Sequence, residues 1–152
     1  MQLEQVDDAA KEERLYRQLY AGLPVAMPDP SRVTWPAPSA TVAAREDDAL
    51  LGWVVFFAHP NERSAAILQW IVVERERERI AQGHNTEQPV TEAELRTLEP
   101  LVREAAEQAR AAGYSQLEWF PAEPGFAEGL ADLLEAQALD DDEGWRHYRL
   151  GL

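Results

Sequence analysis

Between Ala65 and Gly83 the chain changes character twice. Ala65 to Val73 is an apolar run, β-branched and aromatic, interrupted only by Gln69. It is too short to span a membrane and reads as a central strand buried on both faces. Glu74 to Arg79 then alternates acid with base, and Ile80-Ala81-Gln82-Gly83 follows as a small-residue step. A buried strand that opens into such a loop, with a helix further on, can present backbone N–H groups to a phosphate. The alternation itself has two readings. On a strand, Arg75, Arg77 and Arg79 share a face and form a phosphate clamp. On a helix, Glu74/Arg77 and Glu76/Arg79 pair at i,i+3 on a solvated face.

The flanking segments supply the remaining elements. Asp7 and Asp8 can cap a helix through Tyr20, stopped by Gly22. Five prolines between Leu23 and Pro38 exclude a regular helix and predict an extended loop wrapped on the domain. Ala40–Ala44 and Leu50–Ala58 read as strands, turned by Glu46-Asp47-Asp48 and by His59 to Arg63, so the first half is an antiparallel meander. Thr91 and Glu94 form a capping box, with Val90 and Leu95 placed as a hydrophobic staple. Leu95, Leu98, Val102, Ala105, Ala109 and Ala112 then make one buried helical stripe, ended by Gly113. Pro100 inside that stripe predicts a kink or break. Gln116–Phe120 is a strand parallel to the central one if the helix is a crossover. A second amphipathic helix follows around Phe126, Leu130, Leu133 and Leu134, then the acidic turn Asp140 to Glu143 and a last strand from Trp145 to Leu150.

Composition narrows the function classes. The 152 residues suggest one domain, 1–152, with one sizeable core. The chain carries 14 basic and 28 acidic residues, a formal charge of −14, which disfavours nucleic acid and favours a cationic partner. Cysteine is absent, excluding disulfides, thiolate nucleophiles and Cys-ligated zinc. No leader or membrane-spanning run is evident, and Met1 to Val6 reads as polar, so the expected location is the cytoplasm. His59, His84 and His147 lack ligand spacing, and no metal is expected. Trp53, Trp70 and Trp119 belong to apolar strands, while Trp35 and Trp145 are candidates for lining a pocket. Gln69 either satisfies a buried backbone group or points into a cleft.

The order helix, proline-rich loop, antiparallel strands, central strand, loop, helix, strand, helix, strand resembles the GCN5-related N-acetyltransferase (GNAT) family over nearly the whole chain. The reminders are Ile71-Val72-Val73 before the loop, Ala109 to Tyr114 leading into Leu117-Glu118-Trp119, and Leu133 to Leu139 as a final helix turning into C-terminal strands. The resemblance implies an α/β (α+β) fold with a mixed, mostly antiparallel central sheet flanked by helices. It also implies acetyl-CoA as acyl donor, lying in a V where the central strand splays from its parallel neighbour. Pantetheine would lie on strand backbone and pyrophosphate on the loop. Carried onto this chain, the cofactor-binding residues are Ile71, Val72, Val73, Arg77, Arg79, Ala81, Gly83 and His84.

The departures are specific. The family's Gln/Arg-x-x-Gly-x-Gly/Ala loop falls on Glu78-Arg79-Ile80-Ala81-Gln82-Gly83, where only Gly83 and the small Ala81 fit. His84 to Val90 looks inserted, and Leu134 stands where the family often has a tyrosine acid. Two functions follow. One is acetyl transfer to a primary amine, small or peptidyl, without a covalent enzyme intermediate and with unassigned catalytic residues. The other is a GNAT-shaped binding or assembly module that has lost its chemistry. A homodimer is an open alternative. The backbone after Val73 discriminates the two: it either forms an anion-binding nest or leaves no room for one.

Overall fold

The computed structural model describes residues 1–83, 89–121, 125–141 and 143–152. The elements are β1 (Gln2–Val6), α1 (Ala9–Tyr20), a single 3-10 turn (Pro30–Arg32), β2 (Ala40–Glu46), β3 (Ala49–Ala58), β4 (Ala65–Val72), α2 (Val73–Gln82), α3 (Glu92–Ala111), β5 (Gln116–Trp119), α4 (Phe126–Leu134), β6 (Gln137–Asp140) and β7 (Arg146–Gly151). The strands form one seven-stranded sheet in the order β1-β2-β3-β4-β5-β7-β6. Only β4 and β5 pair in parallel, across the crossover that contains α3. The expected mixed, mostly antiparallel sheet is therefore present, with Ala65–Val72 at its centre.

Strand alternation sorts side chains into two cores. On one face Val42, Val54, Phe56, Ala66, Leu68 and Leu117 meet the buried stripes of α3 and α4. On the other, Ala43, Trp53 and Val73 meet Leu15 and Leu19 of α1. The predicted α3 stripe holds in its middle, where Leu98, Val102, Ala105 and Ala109 are fully buried together with Leu101, whereas Leu95 is half-buried and Ala112, past the helix end, is exposed. Helix α3 also runs unbroken through Pro100. The ring leaves the Arg96 carbonyl without its helical donor, but Arg96 is exposed and water can serve it.

Two other expectations change, and the proline-rich loop is extended as expected. The loop after Val73 is instead helix α2, which starts directly from the last residue of β4. Glu and Arg are good helix formers, the Glu76 and Arg79 side chains pair at i,i+3, and Val73 and Ile80 give the segment an apolar side against α1. Gly83, with φ 73°, is the left-handed C-cap, its N–H donating to the Arg79 and Ile80 carbonyls. Met1 to Val6, read as merely polar, contains edge strand β1, which pairs from Gln2 with Arg45 to Val6 with Thr41. The proline-rich segment is extended apart from its 3-10 turn, tied down by Tyr114 Oη donating to the Pro38 carbonyl at 2.7 Å. Among the described residues no helix is long and apolar enough to cross a membrane.

Leu98 has no exposure, so Leu98→Asp places a charge inside the larger core. We expect a loss of several kcal/mol, roughly 3 or more, read as a large fall in the urea unfolding midpoint. An unchanged midpoint would refute the packing of α3 on the sheet.

Candidate functional site

β4 and β5 stay together for only three residue pairs, Ala65–Gln116, Ala66–Leu117 and Ile67–Glu118. β4 then continues to Val72 paired with β3 alone. Its other edge, from Leu68 onward, has no strand against it among the described residues. Beside this edge Phe126, the fully buried first residue of α4, lies against Trp70 with ring centroids 6.3 Å apart. Two glycines let the start of α3 close on α4. A Cβ on Gly125 would lie 2.7 Å from Val90 Cγ1, and one on Gly129 would lie 2.8 Å from Leu95 Cδ1.

At the mouth of this opening stands the N-terminus of α3. The capping box is formed: Thr91 Oγ1 accepts from the Glu94 N–H at 3.2 Å, and Glu94 Oε1 accepts from the Thr91 N–H at 2.9 Å. The same carboxylate takes a forked contact from Arg75, Nε to Oε2 at 2.6 Å and Nη2 to Oε1 at 2.7 Å. Arg75 also donates to the Pro89 carbonyl at 3.0 Å and lies over the Phe126 ring, 5.0 Å from its centroid. It is only 9% exposed. Chiefly through these hydrogen bonds Arg75 holds the Glu94 carboxyl below the usual carboxylate range, against the opposing effect of burial. A groove of about 390 Å³ runs past Val72, Arg75, Thr91 and Glu94 to the start of β3.

The predicted cofactor residues separate in space. Val72 ends β4 at this groove, whereas Ile71 and Val73 face the α1 core. The strand-wise arginine clamp is absent, because a helix turns alternate residues to opposite sides. Arg77 instead donates to the carbonyl of Leu19 at 2.8 Å, a cation at the C-terminus of α1. Arg79 pairs with Glu76. Ala81 is exposed in the last turn of α2, and Gly83 caps that helix instead of lining a nest. His84 lies outside the described residues.

A second cluster sits where the strands part, on the sheet face opposite α3 and α4. Glu118 is 2% exposed, and its Oε1 accepts from Arg149 Nε at 2.8 Å and Nη2 at 2.5 Å. Arg149 also reaches Glu62 Oε2 at 3.4 Å. His59 Nδ1 accepts from the Asn61 N–H at 3.0 Å, which directs Nε2 toward Glu118 Oε2, 3.6 Å away. Oε2 accepts no hydrogen bond among the described residues. His59, Glu62 and Glu118 each offer an atom within 4.8 Å of the others, the spacing of a cation site. The cation among them is already the Arg149 guanidinium. Sequence reading passed over this cluster, although a single carboxylate inside Leu117-Glu118-Trp119 was a signal of the same kind as Gln69.

The neighbouring side chains answer the remaining expectations. Gln69 is exposed on this face, so it satisfies no buried backbone. Trp35 stacks on Phe57 with centroids 4.9 Å apart, bringing the proline-rich loop onto the same face. Trp53 and Trp119 are core residues, whereas Trp145 is 71% exposed.

No protein-family model matches the chain, and no curated protein does. Solved structures do match. The GNAT domain of S. lividans PAT superposes with a TM-score of 0.63 at 13% identity, covering 99% of this chain and 89% of that one. The aminoglycoside 6'-N-acetyltransferase from Enterococcus faecium gives 0.62 at 12% identity, covering 99% and 97%. An aminoglycoside 6'-N-acetyltransferase complexed with coenzyme A gives 0.56 at 12%, with the same coverage. The chain therefore has the GNAT fold that its sequence resembles.

The Arg75–Glu94 pair has a definite pH signature. Because the folded-state pKa of Glu94 is lowered, its contribution is complete above the unfolded value and is lost as pH falls through the folded one. The melting-temperature difference between wild type and Glu94→Gln should be widest at neutral pH and shrink below roughly pH 4. A difference that persists unchanged at low pH would mean that Glu94 acts without its charge.

Proposed function

We propose that the protein is an acyl-CoA-dependent N-acyltransferase that moves an acetyl group to a primary amine of a small or peptidyl acceptor. The observation that carries this is the edge of β4 from Leu68 to Val72, which pairs with no strand on its β5 side among the described residues, with Trp70 packed on Phe126 beside it. Extended backbone without a neighbour can hydrogen-bond the amides of a pantetheine arm as an added strand would. The fold likeness supports the same assignment, since one neighbour was solved with coenzyme A.

In the reaction, the amine nitrogen attacks the thioester carbonyl carbon and the C–S bond breaks. The product amide forms, and the CoA thiolate takes up a proton as it leaves. The acceptor arrives as an ammonium ion, drawn by a surface of formal charge −14, and must first lose a proton. Glu118 is our candidate proton acceptor. It stands at the last β4–β5 pair, and Arg149 occupies Oε1 while Oε2 remains available. His59 and Arg149 fix its orientation. The donor is a substrate, and no metal is needed for this chemistry. A nucleic-acid or membrane partner does not suit the charge, and the cytoplasm is the proposed compartment.

One specific arrangement favours a second function, a GNAT-shaped binding or assembly module. The backbone after Val73 is helix α2 with no phosphate nest, and the N-terminus of α3 already holds Glu94. Calorimetry with acetyl-CoA, followed by amine acetylation assays, decides between them. Saturable heat with turnover supports the enzyme, and no saturation at millimolar acetyl-CoA supports the module. For the enzyme, Glu118→Gln should lower kcat by about 100-fold or more while leaving acetyl-CoA affinity nearly unchanged. A full-rate Glu118→Gln would remove Glu118 from the mechanism.

A further inference from the structure

We propose that the outer edge of β6, with Trp145 beside it, docks an extended basic segment of a protein partner by adding it to the seven-stranded sheet. This surface is independent of the acyl-transfer function above. β6 is the last strand in the sheet order, and among the described residues it pairs with β7 alone. The Asp141 N–H donates to the Trp145 carbonyl at 3.0 Å, so the Asp141 backbone faces β7. Antiparallel alternation points Leu139 and Gln137 the same way and turns the N–H and C=O of Ala138 and Asp140 outward. The strand holds no proline or lysine and its register with β7 is continuous, so nothing within it blunts this edge.

Apolar side chains gather at the same place. Trp145 is 71% exposed, more than any other large apolar side chain among the described residues. It stands one residue before β7, which by strand alternation puts it on the side of His147. Leu139 pairs with His147, and the exposed Phe120 stacks on the same imidazole with centroids 5.7 Å apart. A strand added to β6 would run about 10 Å from the Trp145 backbone, two strand spacings, so its side chains reach the indole.

Charge around the edge selects the partner. Glu135, Asp140, Asp141, Asp142 and Glu143 are followed by a base only at Arg146, and Arg146 donates to Asp140 at 3.1 Å. Asp141 accepts from the Glu143 and Trp145 N–H groups, while the exposed Glu135 and Glu143 carboxylates have no partner among the described residues. A second copy would set these acids against their own kind, and the formal charge of −14 on each chain adds to that repulsion. A segment carrying arginine or lysine meets opposite charge instead, and its cations can lie on the exposed indole.

The test is calorimetry of the full chain with a synthetic decapeptide of alternating arginine and valine, acetylated and amidated at its ends. The peptide has no primary amine, so its binding does not report on an acyl-acceptor site. We expect saturable binding that weakens about tenfold or more when alternate peptide amides are N-methylated, because main-chain hydrogen bonds are lost while the charge is kept. Ala138→Pro deletes an outward N–H and no bond to β7, and it should weaken the unmethylated peptide by a similar factor. Trp145→Ala should do the same. If Ala138→Pro does not fold, the methylated peptide and Trp145→Ala still decide the matter.

Equal binding of the methylated and unmethylated peptides overturns the proposal, since the attraction would then be charge alone. Wild-type affinity in either folded variant also overturns it, because the peptide would sit elsewhere, as does a failure to saturate at millimolar peptide. Sedimentation of the protein alone as a dimer that Ala138→Pro dissociates would overturn it in favour of a second copy on this edge.

Discussion

The structure depends on where β4 and β5 stop pairing. Three residue pairs hold them, and beyond those pairs Phe126 at the start of α4 packs against Trp70 of β4. A parallel neighbour continuing along β4 would have satisfied its backbone and left nothing to bind with. Beyond those pairs β5 does not follow β4, and Gly125 and Gly129 let Val90 and Leu95 at the start of α3 pack closely on α4. Burial of Phe126 against Trp70 is a stabilising contact beside this edge. Trp119 reinforces it from below, its indole N–H donating to the Ala127 carbonyl at 3.1 Å and so fixing α4 to β5.

Charge is distributed around this opening with little left to chance. Arg75, Arg77 and Arg79 follow one another in a repeating sequence, yet each meets a different kind of partner: a carboxylate at a helix start, carbonyls at a helix end, and an acid one turn away. Helical geometry, at about 100° per residue, turns successive arginines to different surroundings. On the opposite sheet face Arg149 neutralises Glu118 and approaches Glu62. A buried pair of this kind is not a large source of stability. It does fix the one carboxylate that stands at the parting of the strands.

Much of the fold was legible in the sequence because the relevant signals are local. The capping box, the α3 stripe and the apolar Ala65–Val73 run each specify an element without help from distant residues. The phosphate loop was misread for a tertiary reason. Glu74 to Arg79 suits a strand, a loop or a helix, and burial of Val73 and Ile80 against α1 selects the helix. β1 was missed because its strand character comes from pairing with β2, and three of its five residues are exposed. The Glu118, His59 and Arg149 cluster was invisible for a similar reason: its members are far apart along the chain and meet only through sheet register.

The central claim is that an acyl donor occupies the free edge of β4. The most direct measurement is amide hydrogen exchange, resolved by residue, with and without saturating acetyl-CoA. Alternate amides between Leu68 and Val72 point away from β3, and the account predicts that these become protected, together with the Thr91 amide at the start of α3. Protection confined to other strands, or none along Leu68–Val72 while acetyl-CoA is bound, would contradict it.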